Sequence, residues 1–544
     1  MLILILGFLS VTTNAQNCAS ERYLSNVFQS SVSQDVVYGN SPALTAVYVA
    51  ENVTVNQDMT MDIFFPVGDD LPKRPAVMLA YGGGYLFGTK EDEDVWTTCD
   101  SLAKKGYVTA SINYRMNLNV ASTASAVRAI YRAAQDYSAA LRFLKEYADT
   151  YRIDTNYIFV GGVSAGGFSA MHAVFLDENE RPESTFQSGI GGINPDLGCV
   201  SCAGNNYAHS NNVRGIVNLW GALMDTAYIQ QDELIPMTLF HGTSDLIVPN
   251  DHGFPFTALF LMPEVFGSTN IATRVNNLGG NAELNLFNGV GHNIWGLNVN
   301  NVMVDGPTEH WSPITDSIIS FLYQNIRPEA PLTIVPANVC QYDTVLLMVQ
   351  SLPSGGRACW EVEDAIILSA SPDSSQLMVV WENVGSYDVN VTVFNHLDAA
   401  SVPVTSQIQV DERPVVIITD FGNQLEASGS YPYYQWYLDG TPLQGENQSI
   451  LVPIALGAYT VEAVNQFGCT SISEELVVVG IEEGLGYDRR SVSISAFDVY
   501  GRFLGNYGLE MWNHTRFTDS GVLLLEYYDE NGAVIHREKK VRIE

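Results

Sequence analysis

A serine flanked by glycines is the feature of this sequence most suited to chemistry. Residues 162–166 read GVSAG, directly after the apolar run 157–160 and directly before the helix-favouring stretch 167–175. A tight turn between a strand and a helix has no room for bulky neighbours, and it exposes a serine hydroxyl at the end of the strand. The N-terminus of the following helix favours negative charge that develops nearby. The pattern predicts Ser164 as a nucleophile, and the alternative is an ordinary turn between strand and helix.

A nucleophilic serine needs a histidine base and a carboxylate that orients the base. Residues 237–249 read MTLFHGTSDLIVP, and Asp245 lies just past a strand-like run and a glycine-containing turn. At that position Asp245 could hold the imidazole in one tautomer and stabilise its cationic form. The alternative role for Asp245 is a turn carboxylate that caps a backbone amide. Asp225, which follows the preceding apolar run, is the second candidate for the acid.

The best candidate for the base is His292. It lies in the sequence GVGHN after the last apolar run, where small neighbours let the imidazole ring reach the serine. An accessible histidine titrates near neutral pH, as a general base must. His241 begins the acid turn and is predicted to be structural, and His172 lies inside the stretch that follows the serine. His252 has the wrong order along the chain unless a later acid serves.

The reaction also needs donors for the negative oxygen that forms on an attacked carbonyl. Residues 80–88, well before the serine, read AYGGGYLFG. Three consecutive glycines let the backbone approach a bound carbonyl without a Cβ clash. The predicted donors are therefore the N–H groups of Gly83 and Gly84, together with that of Ala165 after the serine. No G-x-G-x-x-G sequence is present here, which argues against a dinucleotide site.

The elements that must position these residues alternate between strand and helix over residues 16–326. The helix-favouring stretches include 125–149 and a closing helix over 314–326. Such alternation predicts a mostly parallel sheet covered by helices, which makes this region an α/β domain. The apolar runs that suit buried strands are 76–80, 107–112, 157–160, 215–220, 237–240 and 282–287.

One long segment interrupts this alternation. Residues 180–212 are rich in Gly, Asn and Ser, and they separate the stretch after the serine from the next apolar run. A long loop at the carboxyl ends of the strands is either a cap that lines the pocket or a passive insertion. We expect the cap.

The pattern changes after Pro328, where short alternating strands separated by turns replace the helices. Residues 330–411 and 412–482 each predict a small antiparallel β-sandwich. A third β unit is expected over 488–544. The fold class is therefore an α/β catalytic domain followed by all-β domains.

Composition and charge restrict the partners. The 544 residues carry 26 basic and 60 acidic side chains, a formal net charge of −34. This charge argues against nucleic acid and anionic membranes as partners, because both select basic patches.

Residues 1–15 are typical of a secretory signal that ends at Ala15, although the usual basic start is missing. No later stretch approaches the ~18 apolar residues of a membrane span, so we expect a secreted protein.

Seven cysteines suit such an exported protein, because oxidising compartments permit disulfides. The odd number leaves at least one cysteine unpaired within a monomer. A single C-x-x-C without a second pair is a poor zinc site, and a local disulfide is the better interpretation. The expected pairs are Cys18–Cys99, Cys199–Cys202 and Cys340–Cys359, while Cys469 remains over.

Four ordered motifs together resemble the carboxylesterase and hormone-sensitive-lipase-like branch of the α/β-hydrolases. They are residues 81–84 (YGGG), 162–166 (GVSAG), 241–245 (HGTSD) and 291–292 (GH), and the match covers roughly residues 18–326. Residues 110–115 and 131–136 also look like this branch and are expected to be structural. The resemblance implies the α/β-hydrolase fold and a serine carboxylesterase that needs no metal or organic cofactor, and the signal-like residues 1–15 predict that this enzyme is secreted.

The sequence departs from this branch at one position, because Tyr81 stands where the resembling enzymes have a histidine that supports the loop. Its hydroxyl could support the loop instead, or its ring could narrow the pocket. The aromatic residues Tyr81, Tyr85, Phe87 and Trp295 are predicted to bind substrate and to restrict it to short acyl groups. The ester could be a small molecule or a polymer.

The C-terminal half resembles secreted Bacteroidetes proteins. Residues 434–440 and 463–469 look like immunoglobulin-like and polycystic-kidney-disease-type repeats, and residues 497–502 and 520–526 look like a type IX secretion sorting domain. This resemblance implies contact with the type IX machinery and with a polysaccharide or cell surface.

Three alternatives to the predicted carboxylesterase stay open: an acetyl-xylan or feruloyl esterase, a serine peptidase of the same fold, and a binding or adhesion protein on an inactive hydrolase scaffold.

Overall fold

The structure is a computed structural model that describes residues 18–47, 50–256, 261–296, 307–478, 491–497, 503–507, 521–529 and 534–542. The signal predicted over residues 1–15 lies outside the described residues. None of the helices in the described ranges combines the length and the apolar character that a membrane crossing requires.

Among the described residues up to position 326 there are six α-helices and ten strands. The strands are β1 (Gln29–Leu44), β2 (Thr54–Val67), β3 (Arg74–Ala80), β4 (Val108–Ile112), β5 (Ile153–Val163), β6 (Gly215–Leu219), β7 (Met237–Gly242), β8 (His252–Gly253), β9 (Val265–Phe266) and β10 (Ala282–Phe287). The helices are α1 (Glu93–Lys104), α2 (Thr123–Glu146), α3 (Ala148–Tyr151), α4 (Ala165–Phe175), α5 (Ser268–Asn277) and α6 (Trp311–Ile326).

Eight of these strands form one sheet in the order β1-β2-β4-β3-β5-β6-β7-β10. The pairs from β4 through β10 are parallel, whereas β1/β2 and β2/β4 are antiparallel. Every residue of β3 and β4 is buried, as expected of central parallel strands that are covered on both faces. This strand order and the helices packed on it are the α/β-hydrolase fold, which confirms the predicted fold class.

The segment 180–212 does not form the expected cap over the pocket. It runs along α2, where its backbone carbonyls accept hydrogen bonds from Arg128, Gln135, Arg142 and Lys145. These polar side chains lie on the side of α2 that faces segment 180–212. Because the segment is irregular, its backbone carbonyl groups can point toward them. The segment therefore satisfies buried polar groups of a helix and contributes no described residue to the cavity beside Ser164.

The region from residue 333 to 478 is built from two pairs of packed sheets. The first pair is formed by β11 (Thr333–Ile334), β12 (Asn338–Cys340), β13 (Val345–Val349), β14 (Arg357–Val362), β15 (Ile366–Ala370), β16 (Gln376–Val380), β17 (Gly385–Phe394) and β18 (Val404–Asp411). The second pair is formed by β19 (Ile418–Asp420), β20 (Leu425–Ala427), β21 (Tyr433–Leu438), β22 (Thr441–Pro442), β23 (Ile450–Leu451), β24 (Gly457–Val464), β25 (Thr470–Ile472) and β26 (Leu476–Val478).

The first pair has sheets of order β11-β13-β16-β15 and β12-β18-β17-β14, and the buried rings of Trp360 and Trp381 lie in its core. The second pair has sheets β19-β20-β23 and β22-β21-β24-β25, with β26 beside β24, around the buried Trp436. Both are consistent with the predicted β-sandwiches. A further antiparallel sheet of order β28-β27-β29-β30 consists of β27 (Ser491–Phe497), β28 (Phe503–Tyr507), β29 (Gly521–Asp529) and β30 (Val534–Arg542).

Two of the three predicted disulfides are wrong. The structure contains Cys18–Cys359, Cys199–Cys202 and Cys340–Cys469, and Cys99 is free and buried. Only the local Cys199–Cys202 pair is confirmed. The predicted Cys18–Cys99 and Cys340–Cys359 pairs fail because α1 turns Cys99 into the domain core, while the first sandwich lies against the N-terminal segment. Both long-range bridges join separate domains, which local spacing does not reveal.

The first sandwich is seated firmly on the α/β domain. The Tyr23 hydroxyl donates to the Leu397 carbonyl at 2.8 Å, and the Tyr323 hydroxyl donates to the Ala400 carbonyl at 2.9 Å. The buried Asn395 amide donates to the carbonyl of Ile326, the last residue of α6, at 2.7 Å. Together with the Cys18–Cys359 bridge, these bonds make the junction a packed interface.

Candidate active site

Ser164 occupies a strained turn between β5 and α4. Its φ of 51° is unusual for a residue with a side chain, and its N–H donates to the Leu219 carbonyl at 2.8 Å. A Cβ added to Gly166 would lie 2.1 Å from the Ala80 oxygen, and one added to Gly162 would lie 2.5 Å from the Gly166 carbonyl carbon. The two glycines are therefore required by close packing of the turn against β3.

The structure brings Ser164, His292 and Asp245 together in one chain of hydrogen bonds. The His292 Nε2 atom lies 2.9 Å from Ser164 Oγ, and the His292 Nδ1 atom lies 2.7 Å from Asp245 Oδ2. The other carboxylate oxygen of Asp245 accepts the N–H groups of Ile247 and Val248 at 2.8 and 2.9 Å. The loops after β10 and β7 thus place a base and an acid in the order that proton transfer from the serine requires.

The electrostatics of the site keep Asp245 ionised. Burial alone would raise its pKa, but the hydrogen bonds from His241 and His292 outweigh burial and hold the pKa of Asp245 well below its usual value. An ionised Asp245 accepts a hydrogen bond from the Nδ1–H group of neutral His292, so the unprotonated Nε2 atom is free to accept the serine proton.

His241 is nearer to this chemistry than the sequence suggested. Its Nε2–H donates to the Val248 carbonyl at 3.0 Å and lies 3.3 Å from Asp245 Oδ2. Its Nδ1 atom accepts from the Ser268 hydroxyl at 2.8 Å. Because the side chain is fully buried, His241 is a rigid support for the carboxylate. The sequence contained one signal for this contact: His241 and Asp245 are only four residues apart on either side of one turn.

The glycine-rich loop after β3 passes beside the serine. Gly83 has a φ of 109° and Gly84 a φ of 60°, both in the region that favours glycine. A Cβ added to Gly83 would lie 2.0 Å from the Phe87 oxygen. The N–H groups of Gly83, Gly84 and Ala165 donate to no acceptor among the described residues. These amides remain available for a ligand.

The cavity beside Ser164 is small and apolar. Its volume is about 30 Å³, and its wall includes Tyr85 and Gly84 of the glycine-rich loop. Tyr85 also donates its hydroxyl to the Ala165 carbonyl at 3.2 Å, which ties this wall to the start of α4. Other apolar side chains of the wall include Ile130, Phe168, Val248, Phe256, Met262 and Val265.

The other predicted aromatic residues do not line this cavity. Phe87 is 52% exposed and lies next to Gly83 at the surface. Tyr81 is buried beneath the loop, where its ring stacks on Tyr114 at 4.5 Å between centroids. Trp295 is fully buried and packs against the rings of Trp220 and Trp311. Tyr81 and Trp295 therefore do not contact the cavity, because their large aromatic rings are packed in the hydrophobic core next to the site.

The alternative acid and bases lie elsewhere. Asp225 caps a short turn by accepting the Ala227 N–H at 2.8 Å. His172 is fully buried in α4, and burial lowers its pKa to about 4. His252 pairs with Glu264 at 3.0 Å on the surface. Within the described ranges, no group of three or more His, Cys, Asp or Glu side chains is arranged to hold a metal ion.

Comparison with known proteins gives one family match. Residues 61–224 match the model of BD-FAE, a family of α/β-hydrolase esterases. The matched region includes the glycine-rich loop and Ser164, and it ends before Asp245 and His292. A search of curated proteins returned no match.

The chain is also similar to solved structures of esterase 2 from the planctomycete Thermogutta terrifontis. The propionate-bound form is 19% identical, with a TM-score of 0.36 over 53% of this chain and 93% of that chain. The apo form is 20% identical, with a TM-score of 0.34 over 52% of this chain and 96% of that chain. The form phosphorylated by paraoxon is 20% identical, with a TM-score of 0.34 over 53% and 94%.

Proposed function

We propose that this protein is a serine esterase that hydrolyses carboxylic esters with short acyl groups through an acyl-enzyme. One observation carries the proposal: Ser164 Oγ, both ring nitrogens of His292 and Asp245 Oδ2 form a continuous chain with distances of 2.9 and 2.7 Å. The BD-FAE match over residues 61–224 supports a hydrolase with esterase activity.

In the proposed reaction, His292 Nε2 takes the proton of Ser164 as the serine oxygen attacks the ester carbonyl. The imidazolium that forms is stabilised by the ionised Asp245. His292 then returns the proton to the leaving alcohol as the tetrahedral intermediate collapses to an acyl-serine. A water molecule then gives a proton to the same nitrogen as its oxygen attacks the acyl group. When the second tetrahedral intermediate collapses, His292 returns that proton to the Ser164 oxygen and the carboxylic acid leaves.

The negative oxygen of each tetrahedral intermediate would be held by the N–H groups of Gly83, Gly84 and Ala165. These donors are fixed before substrate binds, so they need no reorganisation when charge develops. Ala165 is also the first residue of α4, so the helix N-terminus adds favourable potential at the same place.

The size of the cavity favours short acyl groups. A volume of about 30 Å³ is roughly the volume that one water molecule occupies in the liquid. A long acyl chain must therefore displace the walls formed by Phe168 and Val265, and the smallest acyl groups require the least displacement. Overpacking of this kind costs about 1–3 kcal/mol for a poorly accommodated group. We therefore expect kcat/KM for the octanoyl ester to be about 5- to 150-fold below that for the acetyl ester, and an aromatic acyl group to be disfavoured for the same reason.

The test is hydrolysis of p-nitrophenyl acetate, butyrate and octanoate by the wild-type full chain and by Ser164→Ala. The proposal expects turnover of acetate, a loss of at least about 10³-fold in the variant and a decline with chain length. Wild-type turnover that persists in Ser164→Ala would refute the assigned nucleophile. No turnover of any ester would refute the esterase and favour the peptidase or binding alternative. Preference for octanoate would refute the acyl-pocket assignment alone.

We also propose that the protein is exported. The apolar stretch 1–15 and three disulfides support this, because such bridges persist in oxidising compartments. Mass spectrometry of the protein from culture medium should find a mature N-terminus at Gln16. Recovery only inside the cell, with residues 1–15 retained, would contradict export.

The third β unit is proposed to be a type IX sorting domain that is recognised during this export. Deletion of residues 488–544 should leave esterase activity and retain the protein within the cell. Unchanged release of the truncated protein would contradict the sorting role.

A further inference from the structure

We propose that Tyr114 is a positioning residue for the oxyanion hole. Its hydroxyl fixes the peptide unit between Gly82 and Gly83, so that the Gly83 N–H faces the oxygen of the attacked carbonyl. The inference rests on the proposed esterase function, because an oxyanion hole has meaning only if Ser164 attacks a carbonyl.

The contact between Tyr114 and the loop is direct. The Tyr114 hydroxyl lies 3.0 Å from the carbonyl oxygen of Tyr81 and 3.2 Å from that of Gly82, so these two acceptors share its single O–H. Tyr114 follows β4, the strand paired with β3, and its side chain is 1% exposed. Burial holds the pKa of this phenol well above its usual value. The hydroxyl therefore remains a donor throughout the pH range in which an esterase would act.

The planarity of the peptide bond turns this contact into an orientation for the donor. In a trans peptide the C=O and the N–H of one unit point in opposite directions, and the described residues contain no cis peptide. Holding the Gly82 oxygen toward Tyr114 therefore directs the Gly83 N–H away from Tyr114. The loop at this point passes over the nucleophile, since a Cβ added to Gly82 would lie 3.4 Å from Ser164 Cβ.

A glycine loop needs such an anchor because glycine has no side chain that restricts its backbone. Without a fixed carbonyl, the peptide unit before Gly83 could rotate and turn its N–H away from the reacting oxygen. The anchor itself is held rigidly. The ring of Tyr114 stacks on Tyr81 with an interplanar angle of 17°, and a Cβ added to Gly88 would lie 2.3 Å from the Tyr81 ring.

This arrangement also explains how the loop is supported with a tyrosine at position 81. The sequence left open whether the Tyr81 hydroxyl supports the loop. In the structure the hydroxyl that reaches the loop carbonyls belongs to Tyr114, and Tyr81 supplies the aromatic surface on which Tyr114 lies. The two tyrosines act as one unit beneath the glycines.

The test is Tyr114→Phe in the full chain, which keeps the stacked ring and removes only the hydroxyl. Removal of an oxyanion donor costs about 10²–10³-fold in kcat, and loss of its alignment should cost at least about tenfold. KM for p-nitrophenyl acetate should change less than threefold. Affinity for a methyl trifluoromethyl ketone, which forms an oxyanion with the serine, should fall by the same factor as kcat.

The matched control is Tyr131→Phe. The Tyr131 ring is fully buried and its hydroxyl donates to the Gly198 carbonyl at 2.7 Å, but it lies on the side of α2 that faces segment 180–212. Both variants should lower Tm slightly, and only Tyr114→Phe should lower kcat and ketone affinity. The positioning role would be overturned if Tyr114→Phe left kcat and ketone affinity unchanged, or if Tyr131→Phe lowered both by the same factors. In either case, turnover by the wild type would still support the proposed esterase. Absence of wild-type turnover would overturn both proposals.

Discussion

Replacing Asp94 with Asn should stabilise the protein by an amount that grows with pH. Asp94 lies in the first turn of α1 and is fully buried. One carboxylate oxygen accepts the Val95 N–H at 2.7 Å, and the other has no hydrogen-bond partner among the described residues. Burial, with a smaller contribution from the charge of Asp92, raises the pKa of Asp94 to about 8. The folded protein therefore carries Asp94 as a neutral acid at neutral pH.

The sign and size of the effect follow from proton linkage. Between pH 3.8, the ordinary pKa of an aspartic acid, and about 8, the folded state keeps the proton and the unfolded state loses it. Unfolding then releases a proton, so stability falls as pH rises through this window, by up to about 1.4 kcal/mol per pH unit. Asn imitates the protonated acid and does not titrate. From pH 5.5 to 8 the advantage of the variant should therefore grow by up to about 3 kcal/mol, which corresponds to several degrees in Tm.

The assay is thermal unfolding of the full chain and of Asp94→Asn at several pH values from 5.5 to 8. The control is Asp149→Asn, whose carboxylate is 95% exposed in a surface pair with Lys73, and its difference from wild type should not change appreciably with pH. The reasoning about Asp94 is refuted if the Tm difference between wild type and Asp94→Asn is constant across this range, or if the variant loses stability as pH rises.

Three further predictions concern the site and its support. Asp245→Asn should lower kcat by about 10³–10⁴-fold, because the amide no longer selects the imidazole tautomer that accepts the serine proton, and steady-state kinetics with p-nitrophenyl acetate measure this. Phe168→Ala should enlarge the acyl cavity and raise kcat/KM for the butyrate ester relative to acetate; an unchanged ratio would mean that the acyl group binds elsewhere. The double change Cys18→Ser and Cys359→Ser should cost about 2–5 kcal/mol, seen as a lower Tm, and an unchanged Tm would contradict a stabilising role for this bridge.

The parts of the fold and site that the sequence could predict are those fixed by local constraint. Gly162 and Gly166 must be glycine because an added Cβ would meet backbone atoms of the turn or of β3. Such positions leave a readable pattern around the serine. Asp245 and His292 each lie in a short loop directly after a strand of the sheet. Because the strands are parallel, their carboxyl ends lie at the same edge of the sheet, and the order of strands and loops therefore predicted that the two residues would be close together.

The parts that could not be predicted depend on packing between distant segments. Tyr81 and Trp295 have the size and polarity of pocket residues, yet the structure buries both rings behind the site. Nothing in the local sequence distinguishes an aromatic ring that lines a cavity from one that fills a core. The disulfide partner of Cys18 could not be predicted either, because Cys359 lies 341 residues away on a different domain.

The junction between domains changes how the catalytic region should be studied. Ala399, in the loop after β17, packs into the core of the α/β domain and is fully buried. A fragment that ends at residue 326 would expose that core, remove the partner of Cys18 and leave the Ile326 carbonyl without its buried donor, Asn395. Each loss removes apolar burial or a buried hydrogen bond. Such a fragment should therefore be less stable than the full chain even if the sandwich never contacts substrate, so a loss of activity on truncation would report on folding before it reports on catalysis.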